Sequence, residues 1–519
     1  MSSQPIVDLG GAVDPAAMAA VARGHACAHL GDAARAHMRR SEAALDEHLA
    51  DGRRIYGVTT GYGPLAGYRI APENSERLQR GLIDHLASGV GPPLPREAVR
   101  AMIAARVSSL ARGWSGVRPG VADHLVAMLN ADIVPEVPEA GTVGASGDLT
   151  PLAHTALAAI GEGRVLGGEP AAEALARARL EPLQLERKDG LALVNGTAAM
   201  TGIAALNGAD MANAVEAAMR LAVIYAEVLG GRRDAFDQRF GAARPHDGQR
   251  RALERLNALM AGSERLHPAE PVPPHLDDIA PEETAHQDAY TIRCAPQEFG
   301  AALDALAHHD GLVTSELQSA TDNPLIDPDT GDVLHGGNFY GQHVAYASDM
   351  LGSVAVKLAA HAERALARLT DTTRNGDLPP FLAGGDPGLN SGFMGAQVSA
   401  TALVAEMRTK ATPAAIQTIP TNGDNQDVVT MGTIAARNAR DQVNRLWRVL
   451  AIHALALTQA VELRGGLRGD GGFSPASRAL AGAVRARSGF LCDDRPLSPE
   501  IADVADWLAA GGASRSTGG

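Results

Sequence analysis

Residues 141–154 read GTVGASGDLTPLAH. Two folds compete for this stretch. Glycines at 141, 144 and 147 could form the phosphate-cradling turn between a strand and a helix, which would make the chain a doubly wound α/β protein. That turn needs a buried parallel strand before it. The preceding segment, ADIVPEVPEA, carries Pro135 and Pro138, neither of which can donate a ladder hydrogen bond. Pro151 follows where the binding helix should already be under way, and no Gly-Lys-Ser or Gly-Lys-Thr completes a P-loop. The phosphate reading fails on its context.

A second reading uses the side chains of Ala145, Ser146 and Gly147. If the turn brings the Gly147 amide nitrogen against the Ala145 carbonyl carbon, cyclisation with loss of two waters gives an imidazolone ring. The Ser146 side chain becomes an exocyclic methylidene. Gly147 lacks a Cβ and can enter a compressed turn, Ala145 is small, and the serine hydroxyl can leave as water. The product is an electrophile that no ordinary side chain supplies. Taken alone, the tripeptide reads as readily as a glycine-rich loop with Ser146 or Asp148 capping the next helix.

Working outward, the pattern is helical almost everywhere after residue 95. Aromatic residues make up 3% of the chain, and alanine stands where strands favour valine, isoleucine or tyrosine. Three segments are long for a globular protein, whose helices average about 11–12 residues. They run from Thr197 to Leu229, from Gly341 to Asp371, and from Asp427 to about Leu463. In the second, Val344, Ala347, Leu351, Val354, Leu358, Ala362, Ala365 and Leu369 recur at helical steps; in the third, Met431, Ile434, Val443, Leu446, Leu450 and Leu457 do so. The expected fold is mainly α, a long-helix bundle (196–519) preceded by a smaller Gly-rich mixed domain (1–195) that carries the loops. Broad alanine-rich apolar stripes point to an oligomer. The Ser/Gly tail ASRSTGG is expected to be disordered.

The chain of 519 residues is 45% hydrophobic and 20% charged, so it can bury a large core. Its net charge of −14 has no basic face to offer nucleic acid or an anionic membrane. Cys27, Cys294 and Cys492 are scattered, which fits a reducing compartment and gives neither a disulfide framework nor a zinc site. The start, MSSQPIVDLGGAVDP, lacks a basic stretch followed by an apolar one, and no run approaches about twenty apolar residues. A cytoplasmic protein is expected.

The tripeptide does not stand alone. GTVGASGDLTPLAH resembles the signature of the aromatic amino-acid ammonia-lyase and aminomutase family, whose self-made cofactor is 4-methylidene-imidazol-5-one. The resemblance continues from about residue 50 to about 470 through YGVTTGYGPLA, HLASGVG, ALVNGTAAMTG, QDAYTIRCAPQ, TDNPL, HGGNFYGQ, GLNSGFMGAQ and TNGDNQDVV. It implies that ammonia and a β-proton are removed from an aromatic α-amino acid to give an arylacrylate. The electrophile from Ala145, Ser146 and Gly147 would bond the amine and improve it as a leaving group. Tyr56 matches the family's base for the β-proton, on a mobile glycine-rich lid. Arg293 matches the residue that grips the substrate carboxylate through two parallel hydrogen bonds. Tyr290, on a second mobile loop, and Gln287 share its motif. Asn195 and Asn323 match amides that position the electrophile's oxygen or the carboxylate. Phe339 matches a ring packed beside the cofactor, and Gln426 a polar group near it. The resemblance also implies a homotetramer whose sites draw residues from three chains, with no metal and no nucleotide.

Selectivity in this family lies at the pair corresponding to His85 and Leu86. Tyrosine-selective members resemble His-Leu here, and an imidazole can hydrogen-bond a para-hydroxyl. NQDVV lacks the carboxylate of the NQEDHV found in histidine-directed members. The reading is therefore tyrosine ammonia-lyase activity, with tyrosine 2,3-aminomutase and histidine ammonia-lyase as alternatives. From other classes, the rival readings are a dinucleotide-dependent oxidoreductase and a non-catalytic helical scaffold. Tyr62 where the family has Phe, Tyr340 after Phe339, and Asp424 depart from the usual pattern and bear on the choice between lyase and mutase.

Overall fold

The computed structural model describes residues 4–515 apart from 271, 273–274, 276–286, 468 and 470. The protein is mainly α. The three expected long helices span Ala198–Leu229, Gln342–Leu369 and Gly432–Leu463. The third begins at Gly432 rather than Asp427, because Met431 adopts φ 57° and donates its N–H to the Val143 carbonyl at 2.8 Å. Of the positions read as apolar faces, Val344, Leu351, Leu369, Val443, Leu446, Leu450 and Leu457 are fully buried, whereas Val354 is only partly so. A further long helix, Ala295–Leu317, carries no equally clear stripe in the sequence.

The N-terminal region mixes short strands with helices, as its glycine and proline content suggests. The strands among the described residues form three two-stranded sheets, one parallel (Ile6–Asp8 with Cys27–His29) and two antiparallel. Between its loops the region is helical, centred on Arg96–Leu110, whose residues from Ala98 to Leu110 are all buried. A helix apolar on every side belongs inside a core, and its two buried arginines are accommodated differently. Arg100 donates to the Val21 and Ala22 carbonyls (2.9 and 2.8 Å) and to Leu129 (2.7 Å), so one guanidinium closes the C-termini of helices Pro15–Ala22 and Pro119–Asn130. Gly202 lets the start of helix Ala198–Leu229 lie directly on this central helix. A Cβ there would sit 2.6 Å from the Ala101 carbonyl carbon.

Two compact units emerge, each with its own hydrophobic core. The first comprises Met1–Ala209, His308–Met350 and Pro413–Arg440; the second comprises Asp210–Ala307, Leu351–Thr412 and Asp441–Gly519. The boundary expected at residues 195–196 thus lies inside the first unit. The chain enters each unit three times, an arrangement that composition along the sequence does not register. Helix Gly432–Leu463 is long and apolar enough to cross a bilayer, but 83% of its most apolar window is buried, as in a core helix. Of the tail, Gly512–Arg515 is helical and Ala513 is buried; residues 516–519 lie outside the described set.

Candidate active site

The segment before helix Leu149–Ala159 makes a left-handed turn, with φ 78° at Gly144, 52° at Ser146 and 76° at Gly147. An L-residue pays about 1–2 kcal/mol to enter that region, so Ser146 is held there by its surroundings. A Cβ on Gly147 would stand 2.1 Å from the Gly196 carbonyl oxygen, which leaves glycine alone as an occupant. Gly147 and Gly196 form a one-residue parallel bridge, and the Asp148 N–H donates to the Gly196 carbonyl at 2.8 Å. Thr142 Oγ1 donates to the Gly147 carbonyl at 3.3 Å, and Gln426 Nε2 donates to Ser146 Oγ at 3.1 Å.

Asp148 precedes the helix without capping it. Its buried carboxylate accepts from Met200 N–H at 2.8 Å and from Thr433 Oγ1, and burial pushes its pKa up to about 6 against the pull of those bonds. The strand before the turn, Pro138–Ala140, pairs antiparallel with Val90–Pro93. The parallel strand that a phosphate loop requires is not at this position.

Tyr56 sits on the glycine-rich segment that follows helix Asp32–Ala50. Its Oη accepts from Gly63 N–H at 2.8 Å, and its ring meets Tyr62 edge-on with centroids 6.4 Å apart. The segment is tied down by Gln79, which is fully buried on helix Ser75–Leu86. Gln79 Nε2 donates to the Gly57 carbonyl (2.9 Å) and to Tyr62 Oη (3.1 Å), while its Oε1 accepts from Leu191 N–H (2.8 Å). Burial, reinforced by the neighbouring Tyr56, pushes the Tyr62 hydroxyl pKa far above the usual phenol range.

These elements enclose a cavity of about 1470 Å³. Tyr56, His85, Leu86, Ala145, Ser146, Asn195, Asn323, Phe339 and Gln426 all line it. Gly147, within the turn, is buried. At His85, Nδ1 is 2.8 Å from the Gly81 carbonyl oxygen, an acceptor. In the neutral ring Nδ1 therefore holds the proton and Nε2 offers a lone pair. Asn323 Oδ1 accepts from Gly336 N–H at 2.8 Å.

Asn195 closes helix Asp189–Val194, and both of its side-chain donors are taken: Nδ2 donates to Asp322 Oδ1 (3.1 Å) and to the Asn323 carbonyl (2.9 Å). Behind it, Lys188 Nζ lies 2.6 Å from Asp322 Oδ2, with both side chains wholly buried. Burial pushes the Lys188 ammonium down in pKa, and Asp322 opposes the shift.

Gln287, Tyr290 and Arg293 belong to the second unit and do not line this cavity. Tyr290 and Arg293 occupy a single helical turn, with the guanidinium 4.5 Å from the exposed Tyr290 ring and Tyr225 Oη 3.2 Å from Thr291 Oγ1. Gln287 is exposed. Among the described residues, no group of three or more His, Cys, Asp or Glu is arranged to hold a metal ion.

No motif in the sequence singles out Gln79 or Lys188, and Asp322 enters only as part of TDNPL. Gln79 shares a buried helical stripe with Leu82 and Ile83, and a polar residue at an apolar position was the available signal. Lys188 beside Asp189 reads as a charged turn, and nothing local indicates burial.

The sequence model of one family, described as aromatic amino acid lyase, matches residues 13–486. The chain belongs to this family. It is 49% identical over 513 residues to a tyrosine ammonia-lyase of Cereibacter sphaeroides, covering 97% of this chain and 98% of that one. It is 43% identical to a histidine ammonia-lyase of Anaeromyxobacter sp., covering 95% and 96%. The fold matches the crystal structure of a tyrosine aminomutase from Streptomyces globisporus with a TM-score of 0.93 at 38% identity, covering 99% and 98%.

Proposed function

We propose that this protein is a tyrosine ammonia-lyase that converts L-tyrosine to trans-p-coumarate and ammonia. The observation that carries the reading is a left-handed Ala145-Ser146-Gly147 turn opening onto one cavity with Tyr56 and His85. The turn suits cyclisation to 4-methylidene-imidazol-5-one. Gly147 has no room for a Cβ, Ala145 is small, and Gln426 holds the Ser146 hydroxyl. That group supplies an electrophile for the substrate amine.

The chain's own side chains do the rest. Tyr56 takes the β-proton; the C–H electron pair becomes the second carbon–carbon bond, and nitrogen departs with the pair of the broken C–N bond. The Gly63 N–H aimed at Tyr56 Oη stabilises negative charge there. His85 Nε2 accepts the para-hydroxyl, and Leu86 and Phe339 cover the ring's apolar faces. Asn323 and Gln426 orient polar groups near the turn. Arg293 grips the carboxylate, and Tyr290 and Gln287 assist it. In this reading these three are delivered by neighbouring copies in a homotetramer.

Intact mass tests the first step: the mature chain is expected to be lighter than the encoded sequence by two waters, and Ser146→Ala to restore the encoded mass and abolish turnover. Full activity with an undehydrated chain would refute the reading. Incubation with L-tyrosine tests the second step. The likeness to the tyrosine aminomutase supports a rival reading, in which β-tyrosine rather than p-coumarate accumulates. Selective turnover of histidine to urocanate would instead move the assignment to a histidine ammonia-lyase.

A further inference from the structure

We propose that Tyr225 and Asp288 are positioning residues that hold Arg293 for the substrate carboxylate. Both act on the single helical turn Tyr290–Arg293, and the inference rests on the reading of Arg293 given above. The turn is four residues long, and so short a helix does not hold itself. Residues three apart share a face. Tyr290 and Arg293 therefore stand together, with the guanidinium 4.5 Å from the centroid of the exposed Tyr290 ring. The residues that attach the turn to the protein are the others.

Three attachments fix it, all within the second unit. Asp288, just before the turn, accepts the Arg232 N–H at 2.7 Å through Oδ2. Arg232 is itself held in a one-residue parallel bridge with His267. There the Arg233 N–H donates to the His267 carbonyl at 3.0 Å, and the His267 N–H donates to the Gly231 carbonyl at 2.9 Å. Ile292 is buried in the hydrophobic core and packs over Gly231, where a Cβ would stand 3.2 Å from its Cγ2. Thr291 Oγ1 and Tyr225 Oη form a hydrogen bond at 3.2 Å. Tyr225 is fully buried on helix Ala198–Leu229, its ring edge-on to His453 with centroids 6.2 Å apart. Burial pushes the Tyr225 hydroxyl up to about 12, so it remains a neutral phenol. Apolar packing is non-directional, so Ile292 fixes where the turn sits. Hydrogen bonds are directional, so those of Asp288 and Thr291 fix its rotation and with it the direction of the guanidinium. A two-point grip on a carboxylate depends on that direction.

Two competitive probes isolate the carboxylate: 3-(4-hydroxyphenyl)propanoate has one and no amine, and L-tyrosinol has an amine and no carboxylate. Tyr225→Phe keeps the ring against His453 and removes only the hydroxyl. It is expected to weaken the propanoate about two- to tenfold relative to tyrosinol, as for one neutral hydrogen bond. Thr291→Val removes the same bond from the other side without touching the core, so it serves if Tyr225→Phe does not fold. The double variant should shift the ratio of inhibition constants no further than the larger single shift; fully additive shifts show that the two hydroxyls act separately and overturn the inference. Asp288→Leu should move the ratio in the same direction, and Asp288→Asn, which keeps an acceptor oxygen, should restore most of it. Equal weakening of both probes, or an unmoved ratio, overturns the inference. Arg293→Met is the control for the reading beneath it. If that variant binds the propanoate as the wild type does, the assignment of Arg293 to the carboxylate fails instead.

Discussion

The Gln79 hydrogen bonds fix the energy needed to displace the segment that carries Tyr56. Replacing Gln79 by Leu keeps the buried volume but leaves two backbone groups without partners, the Gly57 carbonyl and the Leu191 N–H. Each buried group left unsatisfied costs about 1–3 kcal/mol, or about 2–6 kcal/mol together. Leu191 lies on a buried helix and cannot escape. Gly57 can reach water only if the segment carrying Tyr56 lifts away, so its share of the penalty, about 1–3 kcal/mol, falls on the equilibrium between a seated and a displaced Tyr56. With about 1.4 kcal/mol per factor of ten, kcat/KM should fall about five- to 140-fold. Tyr62→Phe is the graded control. It removes one neutral hydrogen bond, worth about 0.5–1.5 kcal/mol, and leaves the other two bonds of Gln79 in place, so a loss of about two- to tenfold is expected.

Steady-state production of p-coumarate measures both variants, and hydrogen exchange at the Gly63 amide reports the lid directly. That N–H is bonded to Tyr56 Oη, and its exchange should quicken in step with the loss of activity. If Gln79→Leu lowers the denaturation midpoint but leaves kcat/KM and Gly63 exchange as in the wild type, Gln79 is merely structural and the reasoning is wrong.

Three further outcomes follow from particular residues. His85→Phe removes the Nε2 acceptor and should move preference from tyrosine towards phenylalanine by about ten- to hundredfold in the ratio of kcat/KM values, as for one or two hydrogen bonds' worth of discrimination; an unchanged ratio removes His85 from the ring pocket. Gly147→Ala meets both a positive φ and the Gly196 carbonyl oxygen at 2.1 Å, so the purified variant should keep its full encoded mass; a chain still lighter by two waters contradicts the turn described. His453 is fully buried with neither ring nitrogen bonded among the described residues, and burial beside His361 pushes its pKa down to about 3. A histidine depressed on folding lends stability above its unfolded pKa of about 6.5 and loses it as pH falls towards the folded value, here up to about 5 kcal/mol. His453→Leu should therefore flatten the fall in urea midpoint between about pH 6.5 and pH 3 relative to wild type, and parallel curves would show that the ring is not buried neutral.

What could be read from the chain in advance divides along a physical line. Helix positions follow from short-range periodicity, and the faces of Gln342–Leu369 and Gly432–Leu463 are buried largely where the spacing predicts. The turn at Ser146 was legible because glycine at 144 and 147 reports backbone conformation directly. The Lys188–Asp322 pair was not legible. Its members lie 134 positions apart, and a lysine beside an aspartate has the composition of a solvated turn. Periodicity reports only neighbours within a turn or two, so a contact between segments this far apart leaves no local trace, and the burial of both charges shows only once the chain is folded.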